Sequence, residues 1–265
     1  MMLDKLENIV RRVGAELLAI KDTAAAQGTW HGTQLKTEAD RVAHTLTSDL
    51  LAEVAPEISV ISEEDEKSHR APRPDRYFLI DPIDGTASYA EGFPGYVTQI
   101  ALMQDKRPEL AAIFAPAFDQ AFLAARGRGA TLNGRRLELT PSPDRNVLID
   151  NYPEPRGTAL QVMNDLSLTG YMECGGIALK ICRIADGSAD IFFKDVTVRD
   201  WDVAAPEVVV SEAGGLVCDL NGNPFIYDGN YEKPGIISAS TLDRGAAIHK
   251  WIDSRTNTDS KGTGT

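Results

Sequence analysis

The chain has 265 residues, 43% of them hydrophobic, and a formal net charge of −12. That is enough apolar material for one large domain or two small ones to bury a core without staples. The charge argues against a nucleic-acid polymer as partner, since a phosphate backbone calls for clustered Lys and Arg, and the lack of any apolar run of membrane-spanning length argues against a membrane.

The N-terminus lacks the basic start and apolar core of a signal peptide, so a cytoplasmic protein is expected. Leu3, Leu6, Ile9, Val10, Val13, Leu17 and Ile20 recur at three- and four-residue spacing and predict an amphipathic first helix whose stripe is packing. A polar link from Thr23 to Gly32 follows. Val42, Leu46, Leu50 and Val54 then mark a second helix, with Asp40 in its first turn. A carboxylate there suits the helix dipole, a stabilisation of roughly 0.3–1 kcal/mol. Pro56 closes that helix, and Ile58–Ile61 reads as a short strand that delivers Ser62-Glu63-Glu64-Asp65 at its end. The ordinary reading of such an acidic run is a solvated loop. Against it, a carboxylate at the end of a buried strand is costly unless a cation neutralises it.

Tyr77 to Ile80 is an unbroken apolar run, which predicts a strand covered on both faces. Asp81-Pro82-Ile83-Asp84-Gly85-Thr86 is expected to stop it abruptly. Asp-Pro and Asp-Gly are common turn dipeptides. The same residues also place two carboxylates on stiff backbone, where they could share a hard divalent ion such as Mg²⁺. If a helix starts just beyond, the N–H groups of Gly85 and Thr86 are a natural seat for phosphate. Bound cations would reverse the local field, so the net charge does not exclude a small phosphate ester.

Val97–Met103, Glu109–Phe114 and Gln120–Ala124 predict an antiparallel meander, with a type I′ turn at Asn133-Gly134. Phe114, Phe118 and Phe122 are assigned to the core. Prolines and charges between Pro141 and Pro155 mark a boundary between an N-terminal α+β half, residues 1–145, and a C-terminal α/β half, residues 146–253. The second half alternates: Val147–Asp150 strand, Thr158–Leu166 helix, Ile177–Ala185 helix, Ala189–Phe193 strand. Asp202–Ala213 is read as a helix capped at Gly214-Gly215, Leu216–Asp219 and Gly235–Ala239 as strands, and Leu242–Ile252 as a final helix. Residues 254–265 are expected to be a disordered tail. Asp202 is either a first-turn cap or a ligand, and Pro206 deletes a helical hydrogen bond unless the helix begins late. Cys174, Cys182 and Cys218 form no Cys-x-x-Cys pair, so buried free thiols are expected. His31, His44, His69 and His249 are scattered and read as unconnected with catalysis.

Asp81-Pro-Ile-Asp-Gly-Thr86, with Glu63-Glu64 upstream and Trp201-Asp202-Val-Ala-Ala205 downstream, resembles the inositol monophosphatase family of Mg²⁺-dependent, lithium-sensitive phosphatases. Fructose-1,6-bisphosphatases and 3'(2'),5'-bisphosphate nucleotidases are relatives of that family. The resemblance runs from Leu3 to Asp253. It implies a layered α+β or α/β fold, an αβαβα sandwich with two mixed sheets, and a homodimer. It further implies two or three Mg²⁺ per site. Glu63 and Asp81 with the carbonyl of Ile83 would hold one, and Asp81, Asp84 and Asp202 another; Glu64 would take an additional ion or a water. By the same resemblance Asp40 accepts from Thr86, the pair orients or deprotonates the attacking water, and Gly85 and Thr86 grip the phosphate. Asp195, Gly176 and Ile177 would meet the substrate.

The implied activity is hydrolysis of a small phosphate monoester, inositol or sugar monophosphate ahead of the bisphosphate nucleotidase alternative. Asp195 favours the first, while Ser62-Glu-Glu-Asp65 and Ala178-Leu-Lys-Ile-Cys182 look more like the second. Gly175-Gly176-Ile177-Ala178 and Ala87-Ser88-Tyr89 depart from the usual family pattern. A catalytically inactive metal- or phosphate-binding regulator is the reading of a different class.

Overall fold

A computed structural model describes residues 1–31, 34–140, 142 and 144–259. Helix α1 (Met2–Ile20) buries Leu6, Ile9, Val10, Val13 and Leu17, the stripe its sequence period dictates. The expected polar link instead contains a hairpin, β1 (Gly28–His31) and β2 (Gln34–Thr37); Gly32 lies outside the described residues. Its apolar residues are few, and Trp30 is 59% exposed, so no core-facing alternation announces it. Helix α2 (Glu38–Val54) follows, its start fixed by a capping box between Thr37 and Asp40.

Strand β3 (Ser59–Ser62) pairs in parallel with β4 (Arg76–Asp84), and the short helix α3 (Thr86–Ala90) comes next. Strand β4 runs four residues beyond the stop expected after Ile80. Against its neighbour β5 (Val97–Gln104), Asp81 pairs with Gln99 and Asp84 with Val97, so one extra residue bulges between them. The bulge lets Pro82 sit in the strand without a ladder donor and re-aims the carboxylates. The meander continues through β6 (Arg107–Ala115), β7 (Gln120–Ala125), β8 (Gly129–Leu132) and β9 (Arg135–Leu137), completing a seven-stranded sheet. Asn133 and Gly134 both have positive φ, as a type I′ turn requires. Phe114 and Phe122 are buried, but Phe118 is 43% exposed. It belongs to a single turn at a hairpin tip, where its ring meets the Arg183 guanidinium at 5.2 Å.

The second half supplies β10 (Val147–Asp150), α4 (Gly157–Asp165), β11 (Gly170–Glu173), α5 (Ile177–Ala185), β12 (Ile191–Lys194), β13 (Val198–Arg199) and α6 (Asp200–Ala213). It ends with β14 (Leu216–Cys218), β15 (Glu232–Lys233), β16 (Ile236–Ala239) and α7 (Leu242–Asp259). Strand β11, mostly half-buried, gave no clean sequence signal. Helix α7 runs past Ile252 through the start of the expected tail, and residues 260–265 lie outside the described ones. The five-stranded sheet has the order β11-β10-β12-β16-β14 and is mixed.

The layers follow from which face each side chain takes. Along β4, Phe78 and Ile80 meet α1 and α2, while Tyr77 and Leu79 meet the opposite core. That second core contains α5 and α6 and one face of the smaller sheet, through Ile149, Phe192 and Ile236. The other face, with Leu148, Ile191 and Ile237, is covered by α4 and α7. The result is the αβαβα sandwich. Helix α6 lies in the middle layer, which is why Trp201, Val203, Ala204, Ala205, Val208 and Val209 are buried all round it. It begins at Asp200, so Pro206 does lie inside it and gives no N–H to the carbonyl four residues back, that of Asp202. The three cysteines are free and buried. Among the described residues no helix is long and apolar enough to cross a membrane.

Asp200 is fully buried and holds the entrance of α6. Arg73 pairs with it at 2.6 Å and Lys233 stands 3.7 Å away. Arg73 also donates to the carbonyls of Tyr227 and Asn230, at 3.1 Å each, and lies 3.9 Å from the centre of the Tyr231 ring. One guanidinium thus ties the 227–231 loop to the start of α6. Arg73→Ala leaves a buried carboxylate short of its main partner and is expected to cost on the order of 3 kcal/mol, read from urea denaturation.

Candidate active site

Asp81 and Asp84 stand on the bulged end of β4, and Asp202 stands in the first turn of α6. One carboxylate oxygen from each lies within 4.8 Å of the others. Glu63, at the end of β3, and Ile83, Gly85, Thr86 and Ile177 line the same cavity of about 560 Å³. Chain segments far apart in sequence therefore converge where the larger sheet meets the start of α6.

Each acid is aimed by backbone. Asp81 Oδ1 accepts from Ile83 N–H at 3.0 Å, and Asp202 Oδ2 accepts from Arg199 N–H at 2.8 Å. Asp84 accepts from the first amides of α5, Ile177 N–H at 3.0 Å and Ala178 N–H at 2.7 Å. Asp40 joins through Thr86, whose hydroxyl donates to its Oδ1 at 3.0 Å, while Thr37 N–H and hydroxyl both donate to Oδ2 at 2.7 Å. Asp40 thus caps α2 with one oxygen and meets Thr86 with the other. Thr86 Oγ1 also lies 3.1 Å from the Ile83 carbonyl. Its single proton can serve only one acceptor at a time. Gly85 has φ 91°, a left-handed conformation that glycine adopts freely, and so turns the chain sharply from β4 into α3.

The electrostatics are those of like charges forced together. Burial lifts the pKa of Asp81 well above the usual carboxylate range, and the charges of Glu63, Asp84 and Asp202 lift it further. Glu63 is pushed up to about 8 by burial and then by Asp202 and Glu64. Asp202 is pushed to about 7 by burial and then by Asp84. Asp40 is raised to about 6 by burial, against the hydrogen bonds from Thr37. A crowded set of oxygen donors that resists ionising together is what a hard divalent cation fits.

Other expected residues fall elsewhere. Asp195 does not line this cavity; it lines a smaller neighbour of about 160 Å³, where Thr158 donates to it at 3.2 Å. Lys194 and Val196, the residues on either side of Asp195, line both cavities. Glu64 is engaged by Lys36 at 3.0 Å. Gly176 acts by fit, since a Cβ there would collide with the Asp84 carboxylate.

Some contributors carried no sequence signal. Lys194 and Arg199 put cations on the cavity wall, and Trp30 and Leu35 of the hairpin overhang it. His44 and His69, read as unconnected, bracket Ser62 beside Glu63: His44 Nδ1 lies 2.8 Å from Ser62 Oγ and His69 Nε2 2.6 Å from the Ser62 carbonyl. They steady the strand end rather than enter the cluster.

Known proteins resemble this chain in sequence and in fold. The sequence profile of the inositol monophosphatase family matches residues 4–254. "Nus factor SuhB" of Pasteurella multocida is 32% identical over 194 residues, covering 70% of this chain and 72% of that one. The crystal structure of the extragenic suppressor protein suhB from Bartonella henselae superposes with TM-score 0.80 at 26% identity, covering 93% of this chain and 98% of that one. An inositol monophosphatase of Thermotoga maritima shares the fold, with TM-score 0.80 at 23% identity over 96% and 98% of the two chains. The chain belongs to the inositol monophosphatase family.

Proposed function

We propose that the chain is a Mg²⁺-dependent hydrolase of small phosphate monoesters, with an inositol or sugar monophosphate as substrate. The observation that carries this is the convergence of Asp81, Asp84 and Asp202 beside the Thr86–Asp40 hydrogen bond. Glu63, Asp81, Asp84 and Asp202, with the Ile83 carbonyl, would hold the cations. When bound, Mg²⁺ supplies positive charge against phosphate oxygens and acidifies water.

The chain's own groups do the positioning. Asp40, ionised near neutral pH, accepts the Thr86 proton, so the hydroxyl presents its lone pairs to the attacking water. With the Ile83 carbonyl taken up as a ligand, Thr86 would keep that proton for Asp40 alone. The N–H groups of Gly85 and Thr86 face the phosphate oxygens, and Lys194 adds positive charge where the ester enters. Such preorganised charge is the larger part of phosphoryl-transfer catalysis.

A second role is suggested by the name of the relatives above 30% identity, Nus factor. A chain sharing that role would work with transcription-related machinery. The acidic surface then points to contact through a protein, and the expectation of no polymer partner narrows to the chain's own direct grip on nucleic acid.

Three outcomes test the enzymatic reading. Asp81→Asn lowers turnover about 10³-fold while raising metal-free stability by on the order of 1 kcal/mol, because a buried like charge is gone; steady-state kinetics and urea melts measure both. On a panel of inositol, sugar and nucleoside 3',5'-bisphosphate esters with Mg²⁺, phosphate release is fastest from the polyol monophosphates and millimolar lithium inhibits it. Release confined to the bisphosphate moves the assignment to the nucleotidase, and binding without any release moves it to a regulator.

The third outcome concerns pH. The site carboxyls have folded pKa values above their ordinary 3.8 and 4.5, at about 6 for Asp40, 7 for Asp202 and 8 for Glu63. Folding therefore favours their protonated forms. That stability is complete at about pH 4 and is lost as pH climbs through 6 to 8. The urea midpoint of the metal-free protein is expected to fall from pH 5 to pH 8, and Mg²⁺ to restore it at pH 8.

A further inference from the structure

Lys180 projects from α5 into the interior with 1% of its surface exposed. A buried ammonium is costly unless its protons find acceptors. Its Nζ donates to the Gly175 carbonyl and to the Asn151 side-chain oxygen, and lies 5.4 Å from the centre of the Phe192 ring. Both hydrogen-bond acceptors are neutral, and they come from different loops. Asn151 follows β10, and Gly175 lies between β11 and α5.

The backbone that Lys180 grips is the backbone that touches the site. Gly176 N–H donates to the Gly95 carbonyl at 2.6 Å. A Cβ on Gly175 would strike that same carbonyl, and one on Gly176 would strike Asp84. No side chain fits between these strands of backbone, so a small displacement of Gly175 is passed directly to the next residues. Those are Ile177 and Ala178, whose amides bind the Asp84 carboxylate. Burial raises the pKa of Asp84; the Ala178 N–H, and after it the positive charge of Lys180, oppose that rise.

We infer that Lys180 is a positioning residue for the cation site: by clamping the Gly175 carbonyl to the Asn151 loop, it holds the start of α5 against Asp84 and fixes the direction of that carboxylate. It meets neither the substrate nor the reacting atoms. The inference rests on the reading of Asp84 as a cation ligand.

The test is Mn²⁺ affinity, by titration calorimetry on the full-length metal-free chain, with thermal melting to establish folding. Lys180→Met keeps the length, loses the donors and lowers Mn²⁺ affinity about 10-fold, as loss of a group orienting a ligand does. Lys180→Gln keeps a donor and recovers most of that loss. Asn151→Ala removes one acceptor at an exposed position, where folding is not at stake, and gives a smaller loss of the same sign. It decides the matter if Lys180→Met does not fold. Unchanged affinity in Asn151→Ala and in any folded Lys180→Met, or a Lys180→Gln protein as weak as Lys180→Met, overturns the positioning role and leaves the metal site standing. A native chain that takes up no Mn²⁺ overturns both.

Discussion

Repulsion among carboxylates crowded together in a largely buried cluster is the constraint on which this fold turns. Asp81 and Asp84 are buried on a strand whose neighbours on both faces are apolar, and the start of α6 brings Asp202 to them. Moving any of them apart would require unpacking the middle layer, where α6 is buried on all sides between two sheets. The packing free energy of that layer therefore holds the charges in place, and the repulsion is relieved by protonation or by a cation. Affinity for positive charge is in this sense a product of the core.

These acids are aimed by the same backbone bonds that build the elements. Asp40 closes the capping box of α2 with one oxygen and takes the Thr86 hydroxyl with the other. Asp202 uses one oxygen for Arg199 N–H at the start of α6, and Asp81 one for the N–H of Ile83. A carboxylate oxygen has two lone-pair directions and the group has two oxygens, so a backbone bond fixes the direction without consuming the donor capacity. Helix starts and a strand bulge are thus used to aim oxygens, and rigidity comes from hydrogen bonds that also stabilise the elements themselves.

What the sequence made legible follows from the same physics. Long helices and buried strands announce themselves by pattern: the stripe of α1, the two-sided burial of Tyr77–Ile80 and the largely apolar α6 could be read directly. The carboxylates could be read because Asp-Pro-x-Asp-Gly-Thr is costly backbone with no packing purpose. The β1–β2 hairpin was hidden because it packs little and overhangs the cavity rather than the core. Asp195 lies just past the end of β12, in the neighbouring cavity, a placement that a count of residues to Asp202 does not supply. The partners of Lys36, Lys180 and Lys194 could not be read: a lysine's reach is long, and only the fold says whether its nitrogen meets water, Glu64 or a buried carbonyl.

The cluster joins segments far apart in the chain, which has a mechanical consequence. Glu63, Asp81 and Asp84 come from segments before the Pro-rich stretch that follows residue 140, while Asp202 and the amides of Ile177 and Ala178 come from after it. Neither part of the chain holds a complete set of donors. Whatever neutralises the cluster must therefore also strengthen the contact between the larger sheet and the α5–α6 layer, since ligands that bind only the assembled arrangement stabilise it by mass action. Conversely, anything that loosens this layer weakens the site before it unfolds the sheets, because the acids are the first groups to gain from separating. The site is thus both a reason the larger sheet and the α5–α6 layer must fit closely and the place where a poor fit would first be felt.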